Sequence, residues 1–333
     1  MVIESSAGRW RALPENRRGQ LLLVGAVVLA VVIVVLSLVV NTVLFTQNTD
    51  GQRVSAEVNN VDGFAFEAGK TSRSIMLRVN HAEYNRGVDA LTENVTQSIG
   101  NYSAALGRSF ATSGTVYANV SYRKTLRNGT RLLQTTNRNF TDPTNSNNHD
   151  WDVIQSGQET DIGWYLLNVD LRNVSADQAN ITVTGDTTEF LEYSMNRSEA
   201  GNGNNLSVAV SDSTGTLGTA NCTATGGRVL VDLVDGEGAF DQCSFTGIED
   251  HLESPYTVSI ENGNRINGTY SIVTETVWST PPQWSFTFPD CQTTSTPACS
   301  TPAVWNGSVN LTYRSSAIQY AQQRNITVYG GNT

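Results

Sequence analysis

Histidine is nearly missing from this chain. Only His81, His149 and His251 occur, and none is spaced as an H-x-x-x-H metal pair, which argues against the common zinc hydrolases. Lysine is scarcer still: of 21 basic residues only Lys70 and Lys124 are lysines, leaving 21 − 2 = 19 arginines. Basic residues as a whole fall short of the 31 Asp and Glu, for a net charge of −10. Such a surface repels phosphate backbones, so nucleic acid is not an expected partner. Arginine excess on an acidic chain suggests a high-salt organism, where a Debye length of about 3 Å at 1 M salt screens self-repulsion. A GC-rich genome gives the same bias. No G-x-S-x-G elbow, Walker loop, G-x-G-x-x-G fingerprint or H-E-x-x-H helix is present, so neither an enzyme nor a cofactor is expected. Apolar residues are not lacking: at 39% of 333 residues they can fill the core of one large domain or two.

What is there begins with a membrane-length run. Leu21–Val40 is interrupted only by Gly25 and Ser37 and carries no charge. At about 1.5 Å per residue it spans roughly 30 Å, the thickness of a bilayer core. Arg9, Arg11, Arg17 and Arg18 precede it, and the next basic residue is Arg53. The positive-inside rule then sets the N-terminus in the cytoplasm and everything past about Phe45 outside. The run is too long for an ordinary signal peptide, and Asn41-Thr42-Val43-Leu44-Phe45 follows it without an A-x-A site.

At the junction, Arg17-Arg18-Gly19-Gln20 sets two cations and a glycine directly against the apolar run. This resembles the class III leader of type IV pilins and archaellins. The resemblance covers residues 14–45. It implies a prepilin peptidase as partner, a cut between Gly19 and Gln20, and a mature chain that keeps its hydrophobic helix. Many bacterial pilins carry a glutamate at the fifth mature position, where this chain has Val24; archaeal relatives often lack it, so the resemblance is to an archaeal pilin-like protein. An uncut signal anchor is the plain alternative.

Sequons of the N-x-S/T type stand at Asn94, Asn101, Asn119, Asn128, Asn139, Asn173, Asn180, Asn196, Asn205, Asn221, Asn267, Asn306, Asn310 and Asn325. Chance at this Ser and Thr content gives about six, and all fourteen lie on the outer side of the run, as in a glycosylated surface protein. A merely Asn- and Thr-rich surface is the other reading. The four cysteines, Cys222, Cys243, Cys291 and Cys299, are also outside and read as two disulfides. Three connectivities are open; nearest-neighbour pairing, Cys222–Cys243 and Cys291–Cys299, is favoured because it closes short loops.

The expected organisation is a cytoplasmic leader (1–19), a transmembrane or pilin-type helix (20–45), a polar stalk with an amphipathic helix (46–112) and an extracellular head (113–333); residues 46–70 read either as a stalk or as an extension of the membrane helix. Leu77, Tyr84, Val88, Leu91, Val95, Ile99, Tyr102, Leu106 and Phe110 fall in steps of three, four and seven, which predicts a helix over about 72–110. His81, at the edge of its apolar face, reads as a packed side chain. From about 114 the period becomes two, with strands expected around Val116–Tyr122, Tyr165–Leu171, Ile181–Val183, Leu206–Val210, Val229–Leu233, Val258–Ile260, Tyr270–Ile272 and Val309–Tyr313. Asn128-Gly129 reads as a type I′ hairpin turn, and 293–302 as a loop. The fold class is therefore α+β and mainly β: one transmembrane helix, one amphipathic helix and an antiparallel sandwich-like head.

Candidate chemistry is thin. Asp232, Asp235, Glu237 and Asp241 around glycine turns form a weak Ca²⁺ candidate without EF-hand spacing, which an ordinary hairpin also explains. Glu189 and Glu192 are scattered carboxylates, and Trp151, Trp164, Trp278, Trp284 and Trp305 suit a core as well as a binding groove. The expectation is a structural subunit, a minor pilin or pseudopilin that lies in the membrane and joins other pilin-like subunits in a surface filament. The alternative is a permanently anchored surface glycoprotein with an adhesive or binding β-domain.

Overall fold

The structure, a computed structural model, describes residues 50–82, 86–113, 116–198, 204–239, 243–276, 288–292 and 298–329, with Val32 and Thr296. The leader, its junction at Arg17–Gln20 and the expected transmembrane helix over 20–45 lie outside the described residues, Val32 apart. Among the described residues no helix is long and apolar enough to cross a membrane.

Two long helices come first, α1 (Asp50–Ala82) and α2 (Val88–Ser113). The single helix expected over 72–110 is thus corrected to two, and most of the expected polar stalk is α1. The break falls between Ala82 and Val88. Gly87, a poor helix former, sits just before α2, and its carbonyl accepts from Leu91 N at 3.0 Å. The stripe of α1 was hard to read because it is built largely from small and polar residues. Val61, Phe64, Ala65, Ala68, Ser72, Met76 and Asn80 are buried at steps of one, three and four. Small residues let the helix lie close to the strands beneath it: the Arg324 guanidinium rests on Gly69, where an added Cβ would meet it at 2.9 Å.

Thirteen strands follow among the described residues, and all the strand pairs are antiparallel. One sheet has the order β13 (Gln319–Thr327), β12 (Ala298–Arg314), β1 (Tyr117–Asn139), β11 (Asn267–Thr274), β3 (Ile162–Asp170), β8 (Arg228–Asp232) and β9 (Glu237–Gly238). The other has β2 (Trp151–Ile154), β10 (Thr257–Glu261), β4 (Ala179–Thr184), β5 (Phe190–Ser198), β6 (Asn205–Asp212) and β7 (Gly215–Thr223). Their inner faces meet in a core that includes Leu167, Val231 and Ile272 from the first sheet and Ile181, Tyr193 and Val208 from the second. A second core lies between the helices and β1, β12 and β13, where Phe64 and Phe110 both pack against Tyr313. The head is a sandwich with a helix pair on the outside of its larger sheet.

The expected hairpin at Asn128-Gly129 is corrected: β1 runs straight through it and pairs with β12 from Tyr117 to Gln134. Neither residue has the positive φ of a type I′ turn. Gly129 is needed instead for close approach, since a Cβ there would stand 2.5 Å from the Thr274 carbonyl oxygen of β11. Three register shifts between Tyr122 and Asn128 bend the strand instead of reversing it. The expected loop at 293–302 is also corrected, because β12 begins at Ala298. The open edge of β1's first half lies under α2, where Ser103 Oγ accepts from Val120 N at 2.9 Å and donates to Asn119 Oδ1 at 2.9 Å.

Both favoured disulfides are formed, Cys222–Cys243 and Cys291–Cys299. Cys222 on β7 belongs to the six-stranded sheet, whereas Cys243 follows β9 of the other, with Gly238 N donating to its carbonyl at 2.9 Å. This bond therefore ties the two sheets together. It closes a separation of 21 residues, so replacing both cysteines by alanine should lower stability by on the order of 3 kcal/mol. A urea midpoint that stays put with an unchanged m-value would contradict this.

Candidate functional site at the helix and sheet junction

A cluster of buried polar groups lies where α1 ends on the larger sheet. β13 stops pairing at Asn306↔Thr327, Val328 N then donates to the Trp305 carbonyl at 2.9 Å, and among the described residues β12 has no strand neighbour on that side at Val304. Asn80 of α1, 1% exposed, takes the vacant place. Its Nδ2 donates to Val304 O at 2.8 Å, and its Oδ1 accepts from Val304 N at 2.9 Å. One side-chain amide thus continues the ladder by a residue. Its second Nδ2 proton goes to the Tyr329 hydroxyl at 3.2 Å.

Arg131 on β1 completes the junction from below. Its NH1 donates to the carbonyls of Asn80 at 3.0 Å and His81 at 3.3 Å, and its Nε to Ser271 Oγ at 2.8 Å. The last four carbonyls of a helix lack internal partners and carry its negative dipole end, so a guanidinium there answers both needs. Burial lowers the Arg131 pKa, but a guanidinium keeps its charge in a protein. Towards the other end of the contact, Arg324 NH1 donates to Ala65 O at 2.9 Å, and Arg73 Nε donates to Thr327 O and Val328 O at 3.2 Å. Together these contacts hold α1 to the sheet along its length.

His81 is the packed histidine expected. Its Nε2 lies 3.0 Å from the Tyr329 hydroxyl, and its ring stands 4.9 Å from that of Trp164. Burial first, and the nearby Arg131 charge second, push its pKa down to about 3. The unfolded chain takes up this proton near the ordinary histidine value of about 6.5, so stability is lost as pH falls from there towards 3. The slope approaches about 1.4 kcal/mol per pH unit. Asp232 works in the opposite sense: burial, reinforced by Asp235 and Glu237, raises it to about 6, so its contribution is present at low pH and fades as pH rises towards 6. The wild type should therefore lose stability only gently between pH 6 and 4. The difference between wild type and His81→Gln, followed by urea unfolding at several pH values, should show the full histidine slope; parallel curves would mean that His81 is protonated in the folded state.

The other expected site residues are dispersed. Asp232 turns inward, 9% exposed, and accepts from Val234 N at 3.0 Å, while Asp235 and Glu237 are exposed and Asp241 lies outside the described residues. The acidic set is thus a strand-end turn, and the described residues hold no group of three potential metal ligands. Glu189 lies in the turn before β5, and Glu192 in β5 accepts from Ser194 Oγ at 3.4 Å. Trp151 and Trp305 are buried, Trp151 donating from Nε1 to Phe140 O at 3.0 Å; Trp278 and Trp284 lie outside the described residues. Asn80, Arg131 and Tyr329 escaped the sequence reading. The available signal was a polar residue on an apolar stripe, Asn80 after Met76, and a cation within a strand's apolar run, Arg131-Leu132-Leu133.

No curated protein matches the chain, and no solved structure does. A family model described as a family of unknown function, DUF7261, matches residues 15–184, which is 170 of 333 residues. That stretch takes in Arg17–Gln20, the apolar run, both long helices and the strands β1 to β4. The chain with its clamped helix therefore belongs to the DUF7261 family of unknown function.

Proposed function

We propose that the chain is a pilin-like structural subunit, a minor pilin or pseudopilin, processed after Gly19 by a prepilin peptidase and stored in the membrane by residues 20–45. The observation that carries this reading is the step from Arg17-Arg18-Gly19 to twenty uncharged positions. Two arginines hold the junction at the cytoplasmic face, and glycine offers no side chain to obstruct a protease there. α1 begins at Asp50, five positions beyond Phe45, and its far end is fastened into the head by Asn80 and Arg131. Force or displacement at the membrane end thus reaches the sandwich through a helix bound at several points rather than through a loose tether. In a filament, residues 20–45 exchange lipid for helix contacts and the head stays outside. Recovery of the chain in a sheared surface-filament fraction, with Gln20 at its N-terminus, is the expected result.

A second reading is a permanently anchored surface glycoprotein that adheres through its β head. The fourteen sequons and the large sandwich favour it. It requires exclusive recovery in membranes with the leader intact, an outcome that overturns the first reading.

A further inference from the structure

Among the described residues the two sheets have four sides without a further strand. Two end in short strands, β9 of two residues and β2 of four. The other two end in nine-residue strands, β7 and β13. A long exposed edge strand is a template for pairing with another chain, and proteins usually guard it with lysine, proline, bulges or a covering element. β7 contains no charged residue and no proline, and most of its residues are exposed; its one guard is a bulge at Leu217, which leaves Gly218–Thr223 in regular register with β6. In β13 the one charged side chain is Arg324, drawn away to the Ala65 carbonyl; α1 covers the end of the strand, where Arg73 donates to Thr327 O, and leaves Gln319–Gln323 largely exposed.

Each of these two strands carries an exposed sequon, Asn221 in β7 and Asn325 in β13. Asn221 faces away from buried Cys222, and Asn325 away from buried Ile326. Residues two apart in a strand share a face, so the hydroxyls of Thr223 and Thr327 stand beside their asparagines, and both threonines are exposed. Asn101, Asn173 and Asn310 are exposed as well, but none lies on an outer strand of either sheet, and several other sequons are turned inward. The side-chain oxygens of Asn128, Asn180, Asn267 and Asn306 are buried, and Asn196 Nδ2 is engaged with the Ala176 carbonyl at 3.0 Å.

We infer that Asn221 and Asn325 are N-glycosylated and that their glycans shield the two long sheet edges from pairing with a second chain. The donor is an oligosaccharide carried through its anomeric carbon on a polyprenyl phosphate. The asparagine Nδ2–C1 bond forms as the bond from C1 to the phosphate oxygen breaks. The lipid phosphate leaves with the electron pair, and Nδ2 gives up one proton. The inference rests on the reading that the head lies outside the membrane.

The test is glycopeptide mapping of the full chain purified from the organism that makes it, alongside external protease treatment of intact cells. Glycans at Asn221 and Asn325, with Asn128, Asn180, Asn267 and Asn306 bare, are expected. Removing the glycans from the folded wild-type protein should raise its sedimentable fraction several-fold with an unchanged circular dichroism spectrum. The Thr223→Ala/Thr327→Ala double variant, which keeps both asparagines, should behave the same way. A head that is cut from outside and modified elsewhere, but bare at Asn221 and Asn325, overturns this inference alone. Deglycosylated protein that stays as monodisperse as the glycosylated form overturns the shielding role. A head that resists external protease and carries no glycan overturns the location and this inference together.

Discussion

A Gly19→Leu variant is expected to keep its leader and to vanish from any surface filament while remaining fully inserted in the membrane. Processing by a prepilin peptidase requires the residue before the cut to fit a protease at the cytoplasmic face. A branched side chain between Arg18 and Gln20 removes that fit. On the proposed reading insertion depends on Leu21–Val40, which the substitution does not touch. Mass spectrometry separates the outcomes: the wild type should be lighter than the variant by residues 1–19. An intact wild-type terminus at Met1 or Val2 would reduce the segment to a signal anchor. A terminus beyond Val40 would mean ordinary signal cleavage and the end of the pilin-like reading. Filaments that contain the uncut variant would show that removing the leader is not needed for assembly.

The second large effect is expected at the junction. Asn80→Leu keeps the volume near Val304 but leaves its buried N–H and C=O without their side-chain partner, at a cost of roughly 3 kcal/mol. Arg131→Met strands the Asn80 and His81 carbonyls at the negative end of α1, with a similar expected loss. The two changes act on one helix end, so the double variant should lose less than the sum of the singles. The location of the loss matters more than its size. Hydrogen exchange should accelerate in the last turns of α1 while β3, β4 and β5, in the sandwich core, keep their protection. Uniform acceleration across both sheets would mean that α1 folds as one unit with the sandwich and is not a separately fastened lever.

Much of the head was legible in residue order. Alternation with period two marked β3, β4, β6, β8 and β10, because alternate residues of each are buried in the sandwich and those between them only partly so. The strands that went unread include β7 and β13, whose exposed polar residues leave little alternation to see. The first part of α1 reads either as a stalk or as a helix for a related reason. A stripe that sets alanine, glycine, serine and asparagine between Val61, Phe64 and Met76 has little hydrophobic contrast, yet its small residues let a helix approach a sheet closely. Asn128-Gly129 misled because glycine serves both tight turns and close strand contacts, and only the neighbouring Thr274 carbonyl distinguishes them.

Local order along the chain determined the apolar run and its charged junction, the strand period and the favoured cysteine pairing, since each depends on neighbours a few residues apart. Tertiary structure alone decided that Cys222–Cys243 crosses between sheets and that Asp232 turns inward. It also decided that Asn80 replaces a missing strand at Val304, a partner 224 residues away. A hydrogen bond over that separation leaves no periodic trace, because what selects asparagine at position 80 is an unpaired strand edge that exists only once the sheet has formed.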